Sequence, residues 1–286
     1  MTGVFVTGAT GTVGVGMVAE LLARGERVVA AVRSVEAAHR LPSGAEAREF
    51  DFASPASVIR RAMSGVDRLF LVRPPQIADV RRYLFPVIDA ARDLGLRQVV
   101  FLSLQGVQAN RRTPHHAVEA QLKATGAPYT MLRPNFFMQN LSGTYAADIR
   151  DRGEIRVPAG RSRTAFLDAR DIGRAAATVF TEPGHERKAY TLSGEESLGY
   201  RDVARITSEV LGREITYMRP TEREYLAQLE AEGAPADYVA VQKMIYRVVR
   251  LNASALPNRS IRRLTGRPAT SFREFVRDHR HAWSQG

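Results

Sequence analysis

The chain has 286 residues, 44% of them hydrophobic and 25% charged, enough for one large α/β unit or for a nucleotide domain with a smaller appendage. It contains no cysteine, which excludes disulfides, thiolate metal sites, cysteine-ligated iron–sulfur clusters and cysteine nucleophiles. The net charge of +11 invites a nucleic-acid reading, but the arginines are scattered, with only a late thickening at Arg247, Arg250, Arg259, Arg262, Arg263 and Arg267. Ion pairs and a solvated surface are the expected use of that charge, and nucleic acid is not the expected partner. Strand-forming residues begin at Val4, so no export signal is expected, and no apolar run reaches the roughly eighteen positions of a spanning helix. A cytoplasmic enzyme or sensor without a membrane partner is expected.

The first apolar run, Val4-Phe5-Val6, stops at Thr7-Gly8. Gly8, Gly11 and Gly14 follow at three-residue intervals, and Val13, Met17, Val18, Leu21 and Leu22 then recur at helical spacing up to Gly25. Strand, glycine turn and helix in that order open a dinucleotide-binding βαβ unit. The helix N-terminal N–H groups point outward, and the missing Cβ atoms let a pyrophosphate approach the backbone. A second strand over 27–32 ends at Arg33-Ser34, about twenty residues past the turn, where such folds place the residue that reads the adenosine ribose. An acidic side chain there would accept from the free 2′-hydroxyl of NAD. Arg33 instead offers a planar cation suited to the 2′-phosphate of NADP(H).

A third strand is expected over 46–52, a helix over 56–63, and a fourth strand over 66–72 that Arg73-Pro74-Pro75 ends. Asp51, counted with Phe52 among the candidate cofactor contacts, either faces the adenine amino group or acts as a turn or capping residue. Residues 80–94 read as a helix with Leu84, Val87, Ile88 and Ala91 on one face, and 98–102 as a fifth strand finishing at Ser103. A helix over 115–124 and a sixth strand over 129–132, broken by Arg133-Pro134-Asn135, complete a Rossmann-like, doubly wound parallel α/β sheet. Past this point the alternation loosens. A hairpin or short strand pair is expected over 153–160, a helix over 170–180 and a strand over 188–192. Helices are expected over 200–211, 222–232, 235–251 and 271–283. The expected division is a nucleotide-binding domain over 1–152 and a smaller, mostly helical substrate lobe over 153–286, with segments around 166–192 packing back on the first domain.

Six stretches carry a family likeness: Thr7-Gly8-Ala9-Thr10-Gly11-Thr12-Val13-Gly14, Val32-Arg33, Phe101-Leu102-Ser103, the helix over 115–122, Tyr129-Thr130-Met131-Leu132-Arg133-Pro134-Asn135-Phe136-Phe137, and Asp171-Ile172-Gly173-Arg174-Ala175-Ala176. On these residues the chain resembles the NmrA-like branch of the extended and atypical short-chain dehydrogenase/reductase superfamily. The resemblance implies that Gly8, Thr10, Gly11, Thr12 and Val13 hold the pyrophosphate of NADP(H) and that Arg33 holds its 2′-phosphate. It implies further that Val72, Arg73, Pro74 and Ser103 line the cofactor. Asn135, Phe136 and Phe137 would border the nicotinamide and substrate, although the two phenylalanines read equally as core packing.

Catalytic members of the superfamily use a tyrosine with a lysine four residues later, two side chains on one helical face, so that the ammonium lowers the phenol pKa. None of the nine tyrosines here has lysine at the fourth position. If Glu119 and Leu122 are aligned with the family helix, His115 falls at the lysine position and Arg111 at the tyrosine position. Losing a positioned acid costs about 10²- to 10⁴-fold in reduction of a simple ketone. Hydride transfer to a quinone-like or other electrophilic aromatic acceptor needs no such acid. His115 is left as a ribose contact, a proton source, or simply the start of a helix. The family holds both NADPH-dependent quinone or dye reductases and non-catalytic sensors of nicotinamide redox state. The expectation is therefore a reductase of a small aromatic acceptor, with a redox sensor regulating a protein partner as the alternative. Homodimerisation stays open, no metal-ligand spacing or nucleophile elbow appears, and no catalytic residue is assigned.

Overall fold

The computed structural model describes residues 2–284; Met1, at the head of the expected first domain, and Gln285 and Gly286, at the end of the second, lie outside the described residues. The chain divides into two compact units. One runs to Pro134 and takes in Ala169–Leu192 and Ser260–Arg267. The other comprises Asn135–Asp168, Ser193–Arg259 and the chain from Pro268 onward.

The first unit opens with β1 (Val4–Val6), α1 (Gly14–Ala23), β2 (Val28–Val32), β3 (Glu46–Glu49), α2 (Ala56–Ala62) and β4 (Arg68–Val72). It continues with α3 (Val80–Tyr83), α4 (Phe85–Asp93), β5 (Gln98–Leu102), α5 (Pro114–Ala124) and β6 (Tyr129–Pro134). The chain then enters the second unit with α6 (Gln139–Ser142), β7 (Glu154–Ile155) and β8 (Arg163–Thr164), and returns to the first with α7 (Ala169–Thr181) and β9 (Lys188–Leu192). The second unit resumes with β10 (Leu198–Gly199), α8 (Tyr200–Leu211), β11 (Thr216–Tyr217), α9 (Glu222–Ala231) and α10 (Ala236–Arg250). Finally, α11 (Ser260–Thr265) belongs to the first unit and α12 (Phe272–Asp278) to the second.

Among the described residues the main sheet has seven strands in the order β3-β2-β1-β4-β5-β6-β9, every neighbouring pair parallel. The order reverses between β1 and β4, the crevice where doubly wound sheets bind ligands. Central strands covered on both faces must be apolar throughout. The continuous runs of β1 and β2 satisfy this, as does β5 after Gln98, whose amide donates to Thr130 and to the Val179 carbonyl, and every residue in the three strands is buried. Phe5, Leu69, Leu71, Val99 and Phe101 pack there with Ile59 of α2, Val87 and Ile88 of α4, and Val118 and Leu122 of α5. Helix α7 closes against α1 at Gly173, where a Cβ would stand 2.8 Å from the Met17 nitrogen, so only glycine lets the backbones meet this closely. The second unit has its own core, in which Met138, Leu141, Tyr145, Val203, Tyr246, Phe272, Phe275 and Trp283 pack together.

Several boundaries differ from the sequence expectation. The third strand stops at Glu49, not at residue 52. It is a short edge strand, Glu-Ala-Arg-Glu, with mostly exposed side chains, so its pattern carries no apolar signal. The single helix expected over 80–94 is two, because Pro86 lacks an N–H and sits in the first turn of α4 after a break at Leu84. The sixth strand is not broken at Arg133-Pro134. It runs through both, pairing Pro134 with Leu192 of β9, and the Pro134 carbonyl accepts from the Gln105 N–H at 3.0 Å. The stretch 153–160 forms no hairpin. Glu154–Ile155 pairs in parallel with Thr216–Tyr217, while β8 pairs antiparallel with β10. The last expected helix ends at Asp278, followed by a 3₁₀ turn over Arg280–Trp283.

Candidate functional site

The turn between β1 and α1 is held from below by Thr7, whose backbone N–H and hydroxyl both donate to the Phe70 carbonyl, at 3.0 and 2.9 Å. The same hydroxyl accepts from the Val72 N–H at 2.9 Å, which locks the ends of β1 and β4 together. Gly8 then adopts φ +65°, in the left-handed region where a side chain is strained, and its carbonyl accepts from the Gly11 N–H at 2.9 Å. A Cβ on Gly14 would land on that Gly8 carbonyl oxygen, so the helix can start this close to the turn only as glycine. Helix α1 begins behind Val13 with no side chain capping it and no acidic residue in its first turn. Its N-terminal partial positive charge therefore faces outward beside the exposed Gly8, Gly11 and Thr12. Thr10 is half-buried, and Val13 and Gly14 are buried beneath. Bare backbone donors on a concave glycine turn suit a diphosphate.

Arg33 directly follows β2 and is exposed. It lines a 610 Å³ cleft with Arg48, Asp51, Ser54 and Arg61. Asp51 makes a turn contact: its Oδ1 accepts from the Ala53 N–H at 2.7 Å, just ahead of α2. Phe52 stacks edge-on against Phe50 at 5.0 Å, and Phe50 in turn against Phe5 at 5.4 Å, so the Phe52 ring is engaged in core packing.

Beyond β4, Val72 borders the turn, 3.5 Å from where a Cβ on Gly8 would sit. Arg73 organises the loop that follows. Its Nη1 donates to the carbonyls of Pro74, Pro75 and Ile77 at 3.1, 3.0 and 2.7 Å, and its Nε points to His115 Nε2 at a long 3.5 Å. Pro74 is thus fixed by Arg73 itself. His115 sits in the first turn of α5, which Thr113 caps by accepting from the His116 N–H at 3.2 Å. Burial, and then the charge of Arg73, push the His115 pKa down to about 4, although Glu119 acts to raise it. The ring is neutral at pH 7. With Nε2 facing a guanidinium donor, its one hydrogen belongs on Nδ1. This environment works against a protonated His115 ring at neutral pH. Arg111 lies in the turn ahead of α5 and is exposed, so the tyrosine position of the superfamily helix is not helical in this chain.

Ser103, next after β5, donates its hydroxyl to Glu119 Oε1 at 2.7 Å. Glu119 also accepts from Arg133 Nε at 2.8 Å and Nη2 at 2.6 Å. All three side chains are buried. Neither Thr7 nor this pair was singled out as functional from sequence. Thr7 lay inside the glycine motif, but a charge pair fourteen residues apart becomes visible only once β5, β6 and α5 are assembled.

Asn135, Phe136 and Phe137 belong to the second unit. Both ends of the buried Asn135 amide are engaged there: Nδ2 donates to the Ser254 carbonyl at 2.9 Å, and Oδ1 accepts from the Phe136 N–H at 2.7 Å. Phe136 stacks edge-on with Phe166 at 5.9 Å and lies 6.5 Å from Tyr246, whose hydroxyl is 2.6 Å from that of Tyr145. Phe137 is half-buried and bridges Leu167.

Residues 2–258 match the NmrA-like family. The chain is 30% identical to the NAD(P)H azoreductase of Xenophilus azovorans, over 98% of this chain and 99% of that protein. Triphenylmethane reductase of Citrobacter sp., solved with NADP(H), superposes with a TM-score of 0.85 at 26% identity, covering 96% of this chain and 99% of the other. The NADPH-dependent quinone oxidoreductase of Escherichia coli, solved with NADPH, gives 0.87 at 25% identity, covering 96% and 98%. With a reversed-order parallel sheet and an uncapped glycine turn at its crevice, this chain belongs to the NmrA-like family.

Proposed function

We propose that the protein is an NADP(H)-dependent oxidoreductase whose acceptor is quinone-like or another electrophilic aromatic molecule. The carrying observation is the α1 N-terminus, left without a side-chain cap above three glycines, with Arg33 at the end of the neighbouring strand. The azo, quinone and triphenylmethane reductase names of its relatives support the acceptor class.

When bound, the cofactor supplies a hydride. The backbone donors of residues 8–14 and the positive end of α1 hold the diphosphate, and Arg33 pairs with the 2′-phosphate. Arg73 keeps the loop after β4 in one shape by holding three of its carbonyls. His115, neutral at pH 7, does not protonate a product there. An acceptor whose reduced form takes its proton from water afterwards suits such a site, whereas a ketone that needs an acid in the transition state does not.

Purified protein is expected to consume NADPH when given a quinone or an azo or triphenylmethane dye, and to leave simple ketones untouched. Tight NADPH binding with no turnover across a broad acceptor panel would overturn the enzyme reading. With no tyrosine in α5 to act as a proton donor, the alternative is then a redox sensor whose affinity for a protein partner follows the state of the cofactor.

A further inference from the structure

The buried set Ser103, Glu119 and Arg133 dictates the direction of any hydrogen bond made at the end of β5. Burial acts to raise the Glu119 pKa, but the hydrogen bonds from Arg133 and Ser103, with the Arg133 charge, hold it below the usual carboxylate range. An ionised carboxylate only accepts, and a guanidinium only donates. The 2.7 Å contact between Ser103 and Glu119 therefore consumes the one hydrogen of the serine hydroxyl. What Ser103 has left is lone pairs.

The sheet order says what those lone pairs can meet. The glycine turn follows β1, Arg33 follows β2 on one side, and β4 and β5 lie on the other. With the adenosine half of NADP(H) over β2, the nicotinamide half extends over β4 and β5, and Ser103 is the first residue after β5. Resting on the cofactor reading above, we infer that Glu119, paired with Arg133, is a positioning residue that makes Ser103 an obligate acceptor for a donor on the nicotinamide half of the cofactor. That donor is a carboxamide NH₂ or a ribose hydroxyl. A substrate carbonyl oxygen at the same spot would meet lone pair with lone pair, so Ser103 selects the cofactor and turns the acceptor's oxygen away.

The test measures binding of NADPH and of adenosine 2′,5′-bisphosphate, which lacks the nicotinamide half, to wild type, Ser103→Ala, Glu119→Gln and the double variant. Ser103→Ala leaves the ion pair intact and is expected to weaken NADPH about fivefold, the loss of one neutral hydrogen bond, with the bisphosphate unaffected. Glu119→Gln, whose amide can donate to the serine and reverse its polarity, is expected to weaken NADPH at least as much in the wild-type background and not at all in the Ser103→Ala background. A purely structural Glu119 would lose the same affinity in both backgrounds, or lose the bisphosphate too, and either result overturns the inference. NADPH affinity unchanged by Ser103→Ala overturns it while leaving the cofactor reading standing. Failure of wild type to bind NADPH removes both.

Discussion

Arg33 is the side chain on which the proposed choice between the two nicotinamide dinucleotides rests. Replacing it by aspartate puts an acceptor where a 2′-phosphate would sit. Arg33→Asp is expected to weaken NADPH by tenfold or more, on the order of a lost charge-assisted hydrogen bond plus repulsion, and to leave NADH within about threefold in parallel fluorescence titrations. Equal losses for both would place the 2′-phosphate elsewhere. This residue was legible in the sequence because strand end and charge coincide within a few positions. Arg73 was legible only in part: its place after β4 was expected, but its use as a clamp on three carbonyls of its own loop was not. The place of Ser103 at the end of β5 was legible, whereas Glu119 and Arg133, which engage its hydroxyl, meet it only through tertiary assembly.

At the scale of elements, the β1–turn–α1 unit concentrates its constraint in Gly14. Gly14→Ala must displace either the Gly8 carbonyl or the start of α1. The expected cost is about 1–3 kcal/mol in stability together with a marked loss of NADPH affinity, read by thermal melts and titration. Gly25→Ala is the control. That glycine has φ +76° and open space around it, so alanine there is expected to cost about 1 kcal/mol of backbone strain and no cofactor affinity. Strand β5, buried along its whole length, falls on its expected limits, and so does β9, although it is an edge strand with only Leu192 fully buried. The edge strand β3 was misjudged because its charged residues have no covered face to advertise, and the break in 80–94 was missed because Pro86 lies within a run of well-spaced apolar residues. The small pairings β7 with β11 and β8 with β10 join residues far apart in the chain, which local periodicity does not register.

For the whole molecule, the late arginines illustrate where part of the charge goes: Arg247 and Arg250 both pair with Glu222, and Arg273 with Glu209. Among the described residues no helix is long and apolar enough to cross a membrane. Stability is expected to depend on pH through His115. Its folded pKa of about 4 lies below the 6.5 of a free imidazole, so on acidification the unfolded chain takes up the proton first and stability falls between these two values. From pH 7 to pH 5 the histidine alone is expected to remove about 2 kcal/mol, and nothing further is lost once pH is below the folded value. Urea unfolding of wild type and His115→Gln across this range measures it: the difference between them should shrink or reverse in favour of the variant as pH falls. A constant difference would mean that His115 titrates alike in both states.

Strands β6 and β9 are neighbours in the sheet, yet the excursion Asn135–Asp168 and all of α7 are synthesised between them. As the chain leaves the ribosome, six strands are complete while the outer flank of β6 still waits for its partner and α1 still lacks α7. The closure entropy of that wait is smallest when the intervening segment has already collapsed. A substitution that loosens only the second unit would then surface as slow or aggregation-prone maturation of the nucleotide-binding sheet, and a fragment stopping at residue 152 would carry an open edge ready to pair with another copy.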